Sequence, residues 1–303
     1  MDGSIARPRP FLALGVRLLA AAALATMAML VKLSSERGVH LGELLFWRQA
    51  ITLVLTACLL GFTGRLAVIP TRRLGAHCRR AISGIITMCF VYGSVILLPL
   101  AEATVLSFTT PLFAVLLSVM LFGDKVGYYR WGAVLMGFAG VAIIVQPTNT
   151  MIAPAGLAVG LIAGAMVAWV SFQIQDLNTS ENPLGIVFWF TALTTPILAL
   201  LLPLFWANHN LTTWLVVGAV GISGALAQLL LTASLRFGSA ATIIVMDYTA
   251  LLWATFYGWS VFGRLPPSAL LLGAPLIIAA GILIAWRERM LALERHSAAA
   301  GPV

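Results

Sequence analysis

The chain has 303 residues, of which 61% are hydrophobic and 9% are charged, and its mean hydropathy is +1.01. Soluble domains carry about 25% charged residues, so this composition excludes a soluble globule and predicts an integral membrane protein. The formal net charge of +8 does not indicate nucleic-acid binding, because most of the basic residues lie in the short segments that flank the apolar stretches.

Ten apolar segments follow one another along the chain, each close to the ~20 residues that a helix needs to cross a hydrocarbon core. They lie at 11–33, 43–62, 81–99, 102–122, 129–146, 156–174, 184–205, 213–235, 239–262 and 268–286. The first is expected to be a retained span rather than a cleaved signal peptide, because no polar region follows it. The connections are too short for a separate soluble domain, so we predict a single all-α membrane domain with ten transmembrane helices.

The basic residues predict the topology. If the N-terminus is inside, fourteen of the 18 Lys and Arg residues fall on that side, and only Arg37 and Arg264 fall clearly on the other. Cytoplasmic loops carry an excess of Lys and Arg. We therefore expect a multi-pass protein of the cytoplasmic (inner) membrane, embedded in the lipid bilayer, with both termini in the cytoplasm.

The second half of the chain repeats the first. The Phe-Gly pair at 122–123 recurs at 262–263, an offset of 140, and the Gly-Ala pair at 132–133 recurs at 273–274, an offset of 141. Each unit contains five predicted spans, and five is odd. The two units therefore enter the membrane from opposite sides, an arrangement that recurs in carriers.

One acidic residue is expected deep within a span. A charge at the centre of a bilayer costs ~2.5–3.5 kcal/mol on insertion scales, so such residues usually face a cavity or a partner. Asp247 lies about nine residues into the ninth span, and Tyr248 and Trp253 follow it. We interpret Asp247 as a cation- or proton-binding group in a central cavity; the alternative is a structural carboxylate with a nearby partner.

Four further charges cluster near one end of spans 1, 2 and 4. They are Lys32, Arg48, Glu43 and Glu102. Together they could form a gate or charge network, or hold a substrate carboxylate. For Lys32 an equal alternative is that the side chain snorkels to the membrane interface. Arg48 lies deeper, and we expect it to be buried.

Aromatic, hydroxyl and amide side chains complete the expected pathway. Pro111 removes a helical hydrogen bond and bends span 4 beside Thr110, which suggests a substrate-facing surface. Aromatic faces attract organic cations and stack on planar groups, although many serve only as interface belts. The other candidates within the spans are Tyr92, Trp169, Phe172, Gln228 and Tyr257.

No metal or cofactor site is expected. The three cysteines have no CxxC neighbour, and the four histidines fall in predicted loops or the tail, where they are expected to be solvated. The pair Gly160 and Gly164 predicts a close helix contact, either inside the molecule or at a homodimer face. Both a monomer and a homodimer are therefore compatible with the sequence.

Several stretches resemble the drug/metabolite transporter superfamily, specifically its EamA-type carriers. They include the residues 99–113, the Phe-Gly-Asp-Lys sequence at 122–125 and the run beginning at Asp247, and the Phe-Trp-Arg sequence ending at Arg48 looks like the corresponding family position. The resemblance implies ten helices in two inverted five-helix EamA-like repeats around a central cavity, and transport of small metabolites. The repeats are 11–147 and 156–287, followed by a cytoplasmic tail at 288–303.

These features predict a secondary active transporter that works by alternating access on a small-molecule substrate. Small polar or amphipathic metabolites, such as amino acids, their derivatives or organic cations, fit the expected charges and aromatics, with proton coupling through Asp247 as an option. A membrane-embedded transferase enzyme would need a nucleophile–base pair or a metal cluster. A channel would need charge rings or a filter loop. The sequence contains neither, so we expect a protein that is not an enzyme.

Overall fold

The structure, a computed structural model, describes residues 10–123, 126–145, 154–237 and 245–299. Within these ranges the regular structure is helical. The α-helices are α1 (Pro10–Glu36), α2 (Leu41–Phe62), α3 (Leu74–Leu97), α4 (Leu100–Ser107), α5 (Thr110–Phe122), α6 (Tyr128–Val145), α7 (Pro154–Asn178), α8 (Pro183–Leu201), α9 (Leu211–Phe237), α10 (Ala250–Ser260) and α11 (Ser268–Ala299). Short 3-10 helices cover Leu66–Val68, Leu202–Leu204 and Val245–Thr249.

Among the residues that the structure describes, eight segments are long and apolar enough to cross a membrane. They are Leu14–Glu36, Leu41–Phe62, Leu74–Leu97, Leu100–Leu121, Pro154–Asn178, Pro183–Leu204, Leu211–Leu231 and Ser268–Arg287. The predicted fifth span corresponds to a shorter apolar helix, Tyr128–Ile144. The predicted ninth span is described only from Val245 onwards, so its first part lies outside the described residues. The chain is therefore an all-α, multi-pass membrane protein.

Helix α3 begins earlier than the sequence predicted. The prediction placed the start at residue 81 and left the preceding arginines in a loop, but the helix starts at Leu74. Arg79 and Arg80 therefore lie in its second turn. Arginine is a good helix former, and its charge ends an apolar stretch without ending the helix.

The predicted fourth span consists of two helices rather than one bent helix. The break lies at Phe108 and Thr109, and Pro111 is the second residue of α5. Proline has no N–H to donate and fits the first turn of a helix, so Pro111 starts α5 instead of bending a longer helix. The hydroxyl groups of Ser107 and Thr110 donate to nearby carbonyl oxygens at this break.

The main helix contacts join the two halves of the chain. Helix α1 packs on α9, α3 packs on α7 and α8, and α2 packs on α8 and α9. Helices α6 and α11 pack together apart from these. One buried apolar cluster, with Met27 and Val220 among its members, lies between α1, α2, α3 and α9. A second, with Val105 and Ile277, lies between α4, α6 and α11.

Glycines allow helices to approach each other closely in two places, where α7 packs against α4 and the start of α5 and where α6 crosses α11. A Cβ atom on Gly160 would meet Leu106, and one on Gly164 would meet Thr109. Both glycines therefore serve packing of α7 inside the molecule, in agreement with the first of the two interpretations of this pair. At the crossing of α6 and α11, a Cβ on Gly140 would lie 2.7 Å from the carbonyl oxygen of Gly273.

Candidate functional site

A polar cavity opens between α2, α3, α7, α8 and α9, and its space, including the part that is open to the surroundings, is about 510 Å³. Its lining residues are Arg48, Thr52, Arg80, Gly84, Thr87, Met88, Val170, Val187, Phe190, Thr191 and Gln228. None of these residues is acidic, and two are arginines. The cavity is therefore positively charged within a bundle of largely apolar helices.

Arg48 enters the cavity from the second turn of α2. Its Nη1 donates to Gln49 Oε1, 2.5 Å away, and approaches the Met88 sulfur at 3.7 Å. Its Nε is buried without a hydrogen-bond partner in the described part of the chain. A Cβ atom on Gly224 of α9 would lie 3.3 Å from this nitrogen, so the glycine leaves room for the guanidinium.

Arg80 enters the same cavity from α3. Its guanidinium carbon lies 4.2 Å from the centre of the Phe190 ring, a cation–π contact. Its Nε and Nη1 are buried and have no hydrogen-bond partner among the described residues. A side chain on Gly84, one turn further along α3, would collide with both the guanidinium and the ring. The glycine therefore permits the stacked position of Arg80.

Three threonines supply hydroxyl groups to the cavity wall. Thr52 donates to the Arg48 carbonyl at 2.7 Å, Thr87 donates to the Ser83 carbonyl at 2.7 Å, and Thr191 donates to the Phe188 carbonyl at 3.0 Å. Each hydroxyl proton is thus used within its own helix. The oxygens keep lone pairs for other donors, so the wall combines fixed cationic donors with neutral acceptors.

Asp247 lies outside this cavity, in the 3-10 helix Val245–Thr249 that precedes α10. Both its carboxylate oxygens accept from Arg17 of α1, from Nε and Nη2, each at 2.6 Å. Further along the same helix pair, the hydroxyls of Thr26 and Tyr257 lie 2.8 Å apart, and Trp253 stacks on Tyr257. The sequence prediction counted Arg17 only as one of the fourteen basic residues that predict the topology, and it missed this pairing.

Lys32 and Glu102 line a second, smaller pocket together with Arg264. Lys32 is 5% exposed, and its Nζ donates to the carbonyl oxygens of Val95, Ile96 and Leu98 at 3.2, 3.2 and 2.8 Å. A cation at these positions satisfies the free carbonyls at the end of α3. Because all three ammonium protons are used, the snorkelling alternative for Lys32 is wrong.

Glu43 pairs with a histidine instead of with the other three predicted network residues. Its Oε2 lies 3.0 Å from His209 Nε2, and the Glu43 side chain is fully buried. His77 is likewise buried, 4.0 Å from Glu181 Oε1. The expectation of solvated histidines is therefore wrong for these two, because His77 packs against Trp189 and His209 packs against Trp214. The four predicted network charges lie in three separate places, since each has a nearer partner or neighbour.

The remaining predicted pathway residues also lie outside the larger cavity. Tyr92 is buried with its hydroxyl 3.4 Å from the Met27 sulfur, Tyr248 packs edge-on against Phe108, and Trp169 is exposed. Thr110 and Pro111 start α5, and Phe172 is partly buried in α7. Of all predicted site residues, Gln228 and Arg48 line the cavity.

Arg80 is the charged cavity residue that the sequence prediction missed. A signal was available: Arg80, Gly84 and Thr87 follow the four- and three-residue spacing that places side chains on one helix face. Placing Arg80 in a loop concealed that spacing. Across the ranges that the structure describes, no three His, Cys, Asp or Glu side chains come together as a metal site.

The first half of the chain, residues 11–146, matches the EamA-like transporter family. The chain is 29% identical to a riboflavin transporter of Vibrio cholerae over 83% of this chain and 85% of the relative. It is 26% identical to a pseudopaline exporter of Pseudomonas aeruginosa over 90% and 96%, respectively. It is 23% identical to an S-adenosylmethionine uptake transporter of Rickettsia prowazekii over 85% and 87%.

A solved crystal structure has a similar fold. It superposes with a TM-score of 0.59 at 21% sequence identity and covers 93% of this chain and 98% of the matched chain. At this level of identity the likeness concerns the fold alone.

Proposed function

We propose that this chain is an EamA-type secondary carrier of the drug/metabolite transporter superfamily and that it works by alternating access. The match of residues 11–146 to the EamA-like transporter family and the relatives named as transporters support this proposal. The relatives that are named as transporters support the conclusion that this chain is a small-molecule transporter and not an enzyme. The observation that carries the proposal is the cavity lined by Arg48 and Arg80 inside an apolar helix bundle. Charge is kept at such depth when it serves a ligand or pathway.

We further propose two inverted five-helix repeats, 11–147 and 156–287, followed by a tail at 288–303. The helix contacts support this architecture when α1, α2, α3 and α6 are matched with α7, α8, α9 and α11. The contact of α1 with α9 then has its counterpart in that of α7 with α3. The contact of α2 with α9 corresponds to that of α8 with α3. The α2–α8 and α6–α11 contacts each join two matched helices, so exchanging the two halves leaves these contacts unchanged. The basic residues support cytoplasmic termini in the inner membrane.

The proposed substrate is a small polar or amphipathic metabolite. Amino acids and their derivatives suit the cavity, because a carboxylate is attracted to Arg48 and Arg80. Organic cations, the other class that the sequence allowed, are repelled by the same two charges. Coupling to protons through Asp247 would require its release from Arg17 first, since the ion pair occupies both carboxylate oxygens.

Counterflow in proteoliposomes tests the carrier mechanism. Liposomes containing the purified protein are loaded with an unlabelled compound, and labelled compound is added outside. Amino acids, riboflavin and S-adenosylmethionine make a suitable first panel, the last two taken from the names of the relatives. We expect transient, saturable accumulation of at least one label above its equilibrium level. Flux that never exceeds equilibrium and does not saturate would indicate a channel, and chemical conversion of the compound would indicate an enzyme.

A further inference from the structure

The cavity contains more positive charge and more hydrogen-bond donors than its walls satisfy. Arg48 Nε, Arg80 Nε and Arg80 Nη1 are all buried without an acceptor among the described residues. A buried donor without an acceptor costs free energy, and native proteins leave few of them. Gly84 and Gly224 hold open the space around the two guanidiniums. Packing therefore fixes the positions of these N–H donors but supplies no hydrogen-bond acceptor for them among the described residues.

The two arginines also repel each other. Both arginines line the same cavity, and Arg48 is close enough for its positive charge to act on the guanidinium of Arg80. In the described part of the chain, neither forms an ion pair with a carboxylate, although Arg17 and Arg73 both do. Water in the cavity would hydrate the guanidiniums, but it would not neutralise two like charges at this depth. An anion would do both.

We propose that Arg48 and Arg80 form the binding site for an anionic group of the transported substrate, a carboxylate or a phosphate. This inference rests on the proposed carrier function and extends it to the substrate class. Guanidinium groups match both anions with paired N–H donors. The adjoining wall contributes Phe190, Met88 and Val170, so the rest of the substrate is apolar or aromatic next to its charged group.

The orientation of Arg80 follows from its stacking. With the guanidinium carbon 4.2 Å above the centre of the Phe190 ring, one face of the group is covered and its edge remains for hydrogen bonding. Stacking thus limits the directions from which an anion is bound. Lysine has the same charge but lacks the planar fork, so Arg80→Lys is expected to bind more weakly than the native protein.

Binding to the purified protein in a neutral detergent tests the site without requiring transport. The probes are benzoate and phenyl phosphate, with benzylamine as a cation of similar size. Apparent affinity is read from the ligand-induced rise in Tm. We expect benzoate, phenyl phosphate or both to raise Tm, and benzylamine to leave it unchanged. Because hydrogen bonds to charged groups contribute about 1.5–3 kcal/mol, Arg48→Gln and Arg80→Gln should each weaken anion binding about tenfold or more.

Arg79→Gln is the matched control. Arg79 precedes Arg80 on α3 but is exposed, so its loss removes the same charge from the protein without changing the cavity, and binding should persist. Arg80→Lys keeps the charge, so it tests the site even if Arg80→Gln does not fold. Equal anion affinity in Arg80→Gln, Arg48→Gln and Arg79→Gln, or an equal response to benzylamine, would overturn the proposal.

A phospholipid headgroup also contains a phosphate that could bind the two arginines, and a second set of binding measurements distinguishes it from a substrate. Phosphatidylglycerol or phosphatidylcholine is added to the detergent in place of the soluble probes. Stabilisation by phosphatidylglycerol that requires both arginines, with no response to benzoate or phenyl phosphate, would overturn the assignment to a substrate. The carrier function can fail separately: anion binding at the arginines without counterflow refutes the carrier, and counterflow without anion binding refutes this site.

Discussion

The contact between Arg17 and Asp247 is a two-pronged ion pair that joins α1 to the 3-10 helix before α10. Both donor–acceptor distances are 2.6 Å, and the side chains are 13% and 36% exposed. A bidentate pair is more specific in direction than a single hydrogen bond. Thr26 and Tyr257 extend the same seam by a further hydrogen bond. In an alternating-access cycle, these contacts between α1 and the second half would break when the two parts separate and form again when they close.

We expect Asp247→Asn to lower counterflow by roughly fivefold or more. A hydrogen bond between charged groups contributes about 1.5–3 kcal/mol, and partial exposure reduces that value. The double variant Arg17→Gln with Asp247→Asn should recover part of the activity, because it removes both charges of the ion pair together. If Asp247 also couples transport to protons, Asp247→Asn loses its response to an imposed pH gradient.

Asp176→Asn provides the control for this prediction. Asp176 pairs with Arg73, also at 2.6 Å, but the two side chains are 33% and 55% exposed. Exposed ion pairs contribute little, so this variant should exchange substrate at the native rate. Native counterflow together with a native pH response in Asp247→Asn would show that the ion pair has no part in transport.

Each half of the chain contains a discontinuous helix at the matching position, and the two breaks lie next to each other. In the first half α4 and α5 are separated at Phe108 and Thr109, and in the second half a 3-10 helix precedes α10. Phe108 packs edge-on against Tyr248, with 4.9 Å between ring centres. Broken helices are a common feature of carriers near their pathway. Here Phe108 and Tyr248 pack against each other at the break, and the cavity that contains Arg48 and Arg80 is lined by other helices.

The crossing of α6 and α11 offers a direct test of helix packing. A Cβ on Gly140 would meet the carbonyl oxygen of Gly273 at 2.7 Å and Ile277 at 2.9 Å. Gly140→Ala is therefore expected to lower stability in detergent by about 1–3 kcal/mol, the usual cost of overpacking. Gly132→Ala, earlier on the same helix, meets no atom within 4 Å and should leave Tm unchanged or raise it. A lower Tm for Gly132→Ala than for Gly140→Ala would contradict this packing.

At the scale of the molecule, two of the histidine–carboxylate contacts between described residues lie at opposite ends of the α2–α8 pair. Glu43 is in the first turn of α2, and His209 follows the end of α8. His77 is in the first turn of α3, after α2 has ended, and Glu181 precedes α8. Each contact joins the first half of the chain to the second. A carrier that opens at one end at a time must loosen them alternately.

We therefore expect Glu43→Gln and Glu181→Gln to shift the carrier in opposite directions. A cysteine at position 52 in the cavity, in a variant without native cysteines, reports access to impermeant maleimide from either side of an oriented vesicle. Loss of the Glu43–His209 contact, or of the hydrogen bond that Glu181 Oε1 accepts from Thr71 at 2.6 Å, removes about 1 kcal/mol and changes the balance of states about fivefold. Labelling from the side of the altered glutamate should rise by that factor. Faster labelling from the same side in both variants would contradict opposed closures.

Sequence patterns predicted the spans well where the apolar run and the helix coincide. The predictions for α2 and α8 began within two residues of the observed starts, because the runs begin where the helices do. For α3 the helix extends seven residues before the apolar run, so hydropathy alone placed its first two turns, and Arg80 with them, in a loop. At the site, Arg48 and Gln228 were predicted because polar groups within apolar spans are conspicuous.

The sequence by itself determined that this is a helical membrane protein, because span length, low charge and the placement of basic residues are local properties. It also singled out Asp247 as a charge that needs an explanation. Only the tertiary structure paired Asp247 with Arg17, 230 residues away, and brought Arg80 to Arg48. Partners between helices depend on which faces pack together, and that choice is made by contacts throughout the bundle.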